Sequence, residues 1–136
     1  MAYFNIGGSP AYSTFRANFG FGQTALSSIR GTVYPYNLNA MSSYRNGAVW
    51  RYLLTSQTGL RVRFISPYVS DWSAFGGGYY TPWFLSNVTS FITLQAEATY
   101  PYRFNYWSIS GGGIYSYSNP VNISWNSTTL TQLIAN

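Results

Sequence analysis

The ionisable side chains limit the chemistry that this chain can perform. The sequence contains no His and no Cys, its only carboxylates are Asp71 and Glu97, and all seven basic residues are Arg. Acid–base catalysis usually needs a His or a pair of tuned carboxylates. A glycosidase would need these two acids on either side of one glycosidic bond. A turn Asp and a surface strand Glu are the simpler interpretation, so we expect no enzymatic activity.

The same residue types argue against bound metals and cofactors. A chain without Cys and His lacks the usual ligands of a transition metal, and it forms no disulfide. The glycine runs at 76–78 and 111–113 lack the Lys and Ser/Thr spacing of a phosphate-binding loop. These runs are typical of turns, and we expect no cofactor and no metal.

Aromatic residues are the most abundant candidates for binding. They make up 21% of the chain, with 5 Trp, 14 Tyr and 9 Phe, more than a domain of this size can bury. They predict either a subunit contact, which is favoured, or a sugar-stacking platform, which the neighbours Asp71 and Trp72 suggest. The candidate glycan or partner contacts are Trp72, Tyr79, Tyr80, Trp83, Tyr115 and Tyr117.

The charge pattern favours protein partners over nucleic acid. Charged residues make up 7% of the chain, against about 25% in typical soluble domains. The net charge is +5, but only Arg61 and Arg63 lie close together, whereas phosphate binding uses clustered basic residues. Arg also stacks on aromatic rings and forms forked hydrogen bonds at interfaces. We expect no nucleic-acid partner.

No segment indicates membrane insertion or export. No apolar run approaches the roughly 20 residues that cross a bilayer. The first residues, 1–5, lack the basic and apolar regions of a secretory signal. We therefore expect no membrane span and synthesis in a cytoplasm without export.

A six-residue unit occurs three times near the start of the chain. The copies at 11–16, 25–30 and 40–45 share the order Ala, apolar, Ser, Ser/Thr, apolar, Arg, at offsets of 14 and 15 residues. A unit this short cannot bury its own apolar side chains, so it needs the rest of the domain or another subunit. Each copy fits a single helical turn or a short strand, and the pattern does not separate the two.

The Arg that ends each unit has two interpretations of equal weight. It either binds carbonyls of its own turn or forms hydrogen bonds across a subunit interface or onto the following domain. The candidate interface residues are Arg16, Arg30, Arg45, Tyr12, Phe15 and Tyr44.

From about residue 50 onward the pattern indicates β-structure. Residues 60–64 alternate apolar side chains with Arg61 and Arg63, and residues 91–99 alternate equally cleanly. A hairpin at Tyr100-Pro101 would set Glu97 opposite Arg103, which fixes its register. Short strands between Gly and Pro turns predict a mainly β fold, an antiparallel β-sandwich of jelly-roll or immunoglobulin-like type. We assign residues 50–136 to this sandwich, with about seven strands, and residues 1–49 to an irregular N-terminal repeat and assembly region.

The repeated units resemble segments near the N-termini of many tailed-bacteriophage virion proteins. The resemblance covers residues 11–47 and is best at 26–31 and 41–45, where Ser pairs precede an apolar residue and Arg. The family tends to have a β-branched residue where Ala25 and Ala40 stand, and Gly where Ala17 and Asn46 follow the Arg. The resemblance implies a structural virion protein present in many copies, made in the host cytoplasm, with itself and other virion proteins as partners.

The expected function is therefore a non-enzymatic structural component of a phage virion. Attachment of a tail, baseplate or fibre is favoured over head decoration, with aromatic surface buried between subunits. The alternative is a carbohydrate-binding module or adhesin that recognises a host-surface glycan.

Overall fold

The computed structural model describes residues 3–8, 26–36, 38, 40–86, 91–110, 112–124 and 131–136. The described chain divides into two compact units. Unit 1 comprises Met1–Arg51 and Pro82–Ser90, and unit 2 comprises Tyr52–Thr81 and Phe91–Asn136. No described helix has the length and apolar character needed to cross a membrane.

Unit 1 is built from short strands and two helical turns. The elements are β1 Tyr3–Asn5, helix α1 Leu26–Thr32, β2 Val33–Tyr34, a 3-10 helix Met41–Tyr44, β3 Ala48–Trp50 and β7 Trp83–Leu85. The sheet has the order β1-β3-β7-β2, with β7 antiparallel to β3 and parallel to β2. They surround an apolar core formed by Ile6, Ile29, Val33, Tyr44, Val49, Trp83 and Leu85.

The repeated units adopt the helical alternative where the structure describes them. Most of the repeat at residues 25–30 lies in α1, and the repeat at residues 40–45 contains the 3-10 helix Met41–Tyr44. The apolar residue before each Arg, Ile29 or Tyr44, is fully buried. Both side chains lie in the core of unit 1, so the described repeats pack within their own unit. The repeat at residues 11–16 lies outside the described residues.

Unit 2 contains two sheets. The strands are β4 Leu53–Ser56, β5 Leu60–Ser66, β6 Gly78–Tyr80, β8 Phe91–Ala98, β9 Trp107–Ile109, β10 Ile114–Ser116, β11 Val121–Ser124 and β12 Gln132–Ala135. A five-stranded sheet has the order β10-β9-β12-β4-β6, and a three-stranded antiparallel sheet has the order β11-β8-β5. The larger sheet is mixed because β12 runs parallel to β4 and antiparallel to β9.

The strands of unit 2 alternate in burial as a two-layer fold requires. Along β5, apolar side chains are buried and the intervening Arg side chains are half-buried, with the same period of two on β8 and β11. The mainly β fold is confirmed, and the two sheets are consistent with the predicted sandwich. The jelly-roll or immunoglobulin-like type stays a prediction, as does the domain boundary between residues 49 and 50.

The predicted hairpin at Tyr100-Pro101 is wrong. The neighbours of β8 are β5 and β11, and Glu97 lies opposite Arg61 rather than Arg103. The N–H of Tyr102 donates to the Thr99 carbonyl at 2.8 Å, and residues 102–106 form no strand. β5 is the better partner because its alternation covers seven residues in phase with β8.

Candidate functional site

The outer face of the β11-β8-β5 sheet carries a row of paired polar side chains. Arg61 on β5 donates to the Glu97 carboxylate on β8 at 2.6 Å. One step along, Arg63 Nε donates to Gln95 Oε1 at 2.9 Å. Each pair joins directly opposed residues, so the strand register places them in contact. The row fixes both guanidinium groups on this face.

The chain that follows β5 folds back onto the free edge of that strand. We call residues 67–77 the covering segment. The Ser70 N–H donates to the Phe64 carbonyl, and the Ser70 hydroxyl accepts from the Phe64 N–H at 3.1 Å. Ser73 makes the same two-way connection with Val62, the hydroxyl accepting at 3.0 Å. Two serines thus satisfy edge groups that a neighbouring strand would otherwise bind.

This attachment places two aromatic rings over the guanidinium groups. The ring of Trp72, between the two serines, lies 4.6 Å from the Arg61 guanidinium carbon and 4.2 Å from that of Arg63. Phe75 lies 4.8 Å from the Arg61 guanidinium carbon. Cation–π contacts of this kind contribute about 0.5–1 kcal/mol each at exposed sites. They hold the Trp72 ring in one position on unit 2.

A cleft of about 320 Å³ opens beside this ring. It is lined by Ser70, Asp71, Trp72, Ser73, Gly78 and Tyr79, all within unit 2. Its size falls at the lower end of the range for small-molecule sites, roughly 300–1,000 Å³. The cleft combines an aromatic ring, a carboxylate and hydroxyl groups, the set that a hydroxyl-rich ligand needs.

Tyr79 lines the cleft, and its hydroxyl is engaged in a hydrogen bond. The hydroxyl lies 2.8 Å from the Ser70 hydroxyl, which itself accepts from the Phe64 N–H. Burial raises the pKa of the Tyr79 phenol, and the hydrogen bond with Ser70 partly opposes that rise. The phenol is therefore neutral at physiological pH and works as a hydrogen-bonding group.

Strand β10 presents a different kind of surface. It lies at one end of the five-stranded sheet, pairs on one side with β9, and has no described strand on its other side. Ile114, Tyr115 and Tyr117 are 52%, 39% and 70% exposed. This edge is apolar, aromatic and uncharged. We call residues 114–117 the open edge.

The predicted aromatic contacts divide into four groups. Trp72 and Tyr79 meet at the cleft, Tyr80 is exposed on β6, and Tyr115 and Tyr117 lie on the open edge. Trp83 needs correction, because it is only 7% exposed and belongs to the core of unit 1. The guanidinium carbon of Arg51 lies 4.6 Å from the centre of the Trp83 ring. Aromatic residues occur on both sides of Thr81-Pro82, so the sequence did not show that β6 is largely exposed whereas β7 is buried.

The predicted repeat contacts also need a correction. Tyr44 is fully buried in unit 1, so its ring belongs to that unit's core and offers no interface surface. Arg30 is half-buried and Arg45 is exposed, so both remain candidates. Tyr12, Phe15 and Arg16 lie outside the described residues.

Several residues of the site were not anticipated as a group. Alternation placed Arg61 and Arg63 on one outer face, but nothing in the sequence connected them with Trp72. The signal that was available is the pair Ser70 and Ser73, whose hydroxyls favour side-chain-to-backbone bonds in loops. Their partners on β5 follow only from the fold.

The described residues contain no group of three His, Cys, Asp or Glu that could hold a metal ion. Glu97 is bound to Arg61, whereas the Asp71 carboxylate makes no hydrogen bond or ion pair with any described residue. Asp71 is therefore the acceptor that the cleft offers to a ligand.

Comparison of the chain with protein-family models, curated proteins and solved structures finds no match. The site is therefore interpreted from its own geometry.

Proposed function

We propose that the protein is a non-enzymatic structural component of a bacteriophage virion. It acts through contacts with other copies of itself and with other virion proteins, in attachment of a tail, baseplate or fibre rather than in head decoration. It is made in the host cytoplasm and incorporated into the particle. The observation that carries this proposal is the open edge of unit 2.

Soluble proteins usually protect a strand at the edge of a sheet. Charged side chains, Pro, bulges, very short strands or a covering loop keep the exposed backbone groups from pairing with another chain. β10 is three residues long and has a register shift between Ile114 and Ser116, so the proposed contact rests on its exposed side chains rather than on added backbone pairing. No charged side chain occurs after Arg103, so the open edge and its surroundings in sequence have none. Ile114 on this strand and Tyr117 just after it are exposed, and a partner that covers them best explains this exposure.

The resemblance of the repeated units adds independent support. Tandem Ser-rich units that end in Arg resemble N-terminal segments of phage virion proteins, and Arg30 and Arg45 keep accessible surface. A guanidinium carries several N–H donors, so it can bind groups of its own unit and of another subunit together. A stable assembly of this kind buries about 2,000 Å² or more between subunits.

The proposal is tested by the mass of the purified full-length protein in solution. We expect a discrete oligomer by light scattering after size exclusion. Ile114→Lys places an unpaired charge in the contact and weakens association by about 100-fold or more. Val69→Lys adds the same charge at another exposed apolar residue of unit 2, 61% exposed, and leaves the oligomer intact.

A monodisperse monomer at high concentration, or equal dissociation by the two Lys variants, would contradict the assembly role. The virion assignment is tested separately, with antibodies against the purified protein. We expect them to label particles prepared from the host strain, and unlabelled particles would count against it.

A second candidate function is recognition of a cell-surface glycan. The observation that favours it is the cleft, where Trp72 and the available carboxylate of Asp71 lie side by side. This function is compatible with a virion role, because particles recognise their hosts through surface proteins.

A further inference from the structure

The cleft beside Trp72 combines features that are separate elsewhere in unit 2. Residues with an aromatic ring, a carboxylate and a half-buried phenol line one opening of about 320 Å³. Pockets that bind small molecules typically pair an apolar wall with a few well-placed polar groups. One or two sugar rings match both the volume and the chemistry.

The Trp72 ring is held in place before any ligand arrives. The guanidinium groups of Arg61 and Arg63 stack on it, and they are held in turn by Glu97 and Gln95. The ring is half-buried, so part of it remains accessible. A fixed ring loses little conformational freedom when a ligand stacks on it, which favours binding.

The polar groups of the cleft differ in their availability. The Ser70 and Ser73 hydroxyls accept from backbone N–H groups of β5, and the Tyr79 hydroxyl is engaged with Ser70. The Asp71 carboxylate is exposed and makes no hydrogen bond with the described residues. A carboxylate can accept from two adjacent hydroxyls at once, in charge-assisted hydrogen bonds.

The charges around the cleft favour an uncharged ligand. Glu97 neutralises Arg61, which leaves the opposite charges of Asp71 and Arg63 beside Trp72, so neither an anion nor a cation gains a net attraction. A pyranose sugar has an apolar C–H face for the ring and hydroxyl donors for the carboxylate. It satisfies both requirements without carrying charge.

We propose that this cleft binds a neutral pyranose sugar, stacked on Trp72 and hydrogen-bonded through adjacent hydroxyls to Asp71. This inference rests on the second candidate function and gives it a site and a ligand class. It does not depend on assembly through the open edge.

The test uses the full-length protein and a set of methyl pyranosides, of glucose, galactose, mannose and N-acetylglucosamine. Ligand-observed NMR and calorimetry measure binding at up to about 50 mM sugar, since one sugar ring typically gives millimolar affinity. We expect at least one to bind, and glucuronate and glucosamine to bind more weakly than the neutral parent sugar.

Two substitutions locate the site. Asp71→Asn keeps the shape but removes the charge, and we expect about tenfold weaker binding. Trp72→Ala removes the stacking ring and abolishes binding, whereas Trp72→Phe keeps part of it. Tyr100→Ala removes an exposed aromatic of unit 2 that lies outside both the cleft and the open edge, and it leaves the affinity unchanged.

The outcomes separate the site from the broader function. If Asp71→Asn and Trp72→Phe both leave sugar binding unchanged, the cleft is not the binding site, although the glycan-binding role is retained. Binding of glucuronate in preference to glucose overturns the ligand class. Failure of wild type to bind any pyranoside overturns both. If Trp72→Ala does not fold, Asp71→Asn decides alone, because Asp71 is exposed and bound to no described side chain.

Discussion

In unit 2, the edge strands β5 and β10 of the two sheets differ in whether the chain covers their outer side. At β5 the chain covers its own edge, since Ser70 and Ser73 each form a pair of bonds with the strand. At β10 no described strand or loop pairs with the outer side, and Ile114 and Tyr117 are exposed. Both are edge strands of one unit, so the same physical problem has two solutions.

The difference separates two kinds of binding surface. An edge satisfied by its own chain is rigid, and it supports a preformed cleft for a small ligand. An edge left apolar and open gains free energy only when another protein chain covers it. We therefore compare substitutions at the covered edge of β5 with substitutions at the open edge.

The largest expected effect is at the glycine where the covering segment joins β6. A Cβ on Gly78 would lie 2.2 Å from the Leu54 carbonyl oxygen and 2.8 Å from the Thr55 Cα, so backbone must move. We expect Gly78→Ala to lower the free energy of unfolding by about 3 kcal/mol or more. Gly113, just before the open edge, meets only the Ile109 side chain at 3.6 Å.

Urea denaturation of both variants measures this contrast. Gly113→Ala should stay within about 1 kcal/mol of wild type, because its neighbour is at ordinary contact distance. Equal losses in the two variants would mean that the close approach at Gly78 does not limit the fold.

The next effect comes from the serines of the covering segment. The double substitution Ser70→Ala and Ser73→Ala removes the acceptors of the Phe64 and Val62 N–H groups. We expect a loss of about 2 kcal/mol in unfolding free energy and faster hydrogen exchange at these two amides. At the open edge, Ser116→Ala removes only the exposed bond from the Ser118 N–H and should cost under about 0.5 kcal/mol. Unchanged exchange at Phe64 and Val62 would show that the covering segment does not protect β5.

Alkaline pH provides a third, smaller perturbation of the covered edge. Because burial raises the pKa of Tyr79 above its unfolded value, the stability it contributes is complete below about pH 10 and declines as pH rises through the raised pKa. Tyr79→Phe has no phenol to ionise there, so its stability should fall less steeply. Urea denaturation between about pH 9 and pH 12 compares the two slopes, and parallel curves would refute the assignment.

The smallest effect on stability is expected at the open edge itself. Ile114 is about half exposed, so Ile114→Lys should change the unfolding free energy of the monomer by less than about 0.5 kcal/mol. The same substitution has the strongest expected effect on assembly. Thermal unfolding at dilution, where the protein is monomeric, separates the two, and a large loss there would make Ile114 a folding residue.

Several local features of this protein follow from residue pattern alone. Alternation at 60–64 and 91–99 predicted β5 and β8, with Arg61 and Arg63 on an outer face, because strand geometry repeats every two residues. The absence of His, Cys and Lys is likewise a property of composition alone.

Which elements contact one another is set by the folded chain. Glu97 lies opposite Arg61 rather than Arg103, Trp83 is a core residue, and Trp72 stacks on two guanidinium groups. Each of these depends on contacts between residues far apart in the chain, and local pattern does not encode which of several compatible strands becomes the neighbour. The free energy of burying whole faces together makes that choice, so the covered edge, the open edge and the cleft exist only in the folded chain.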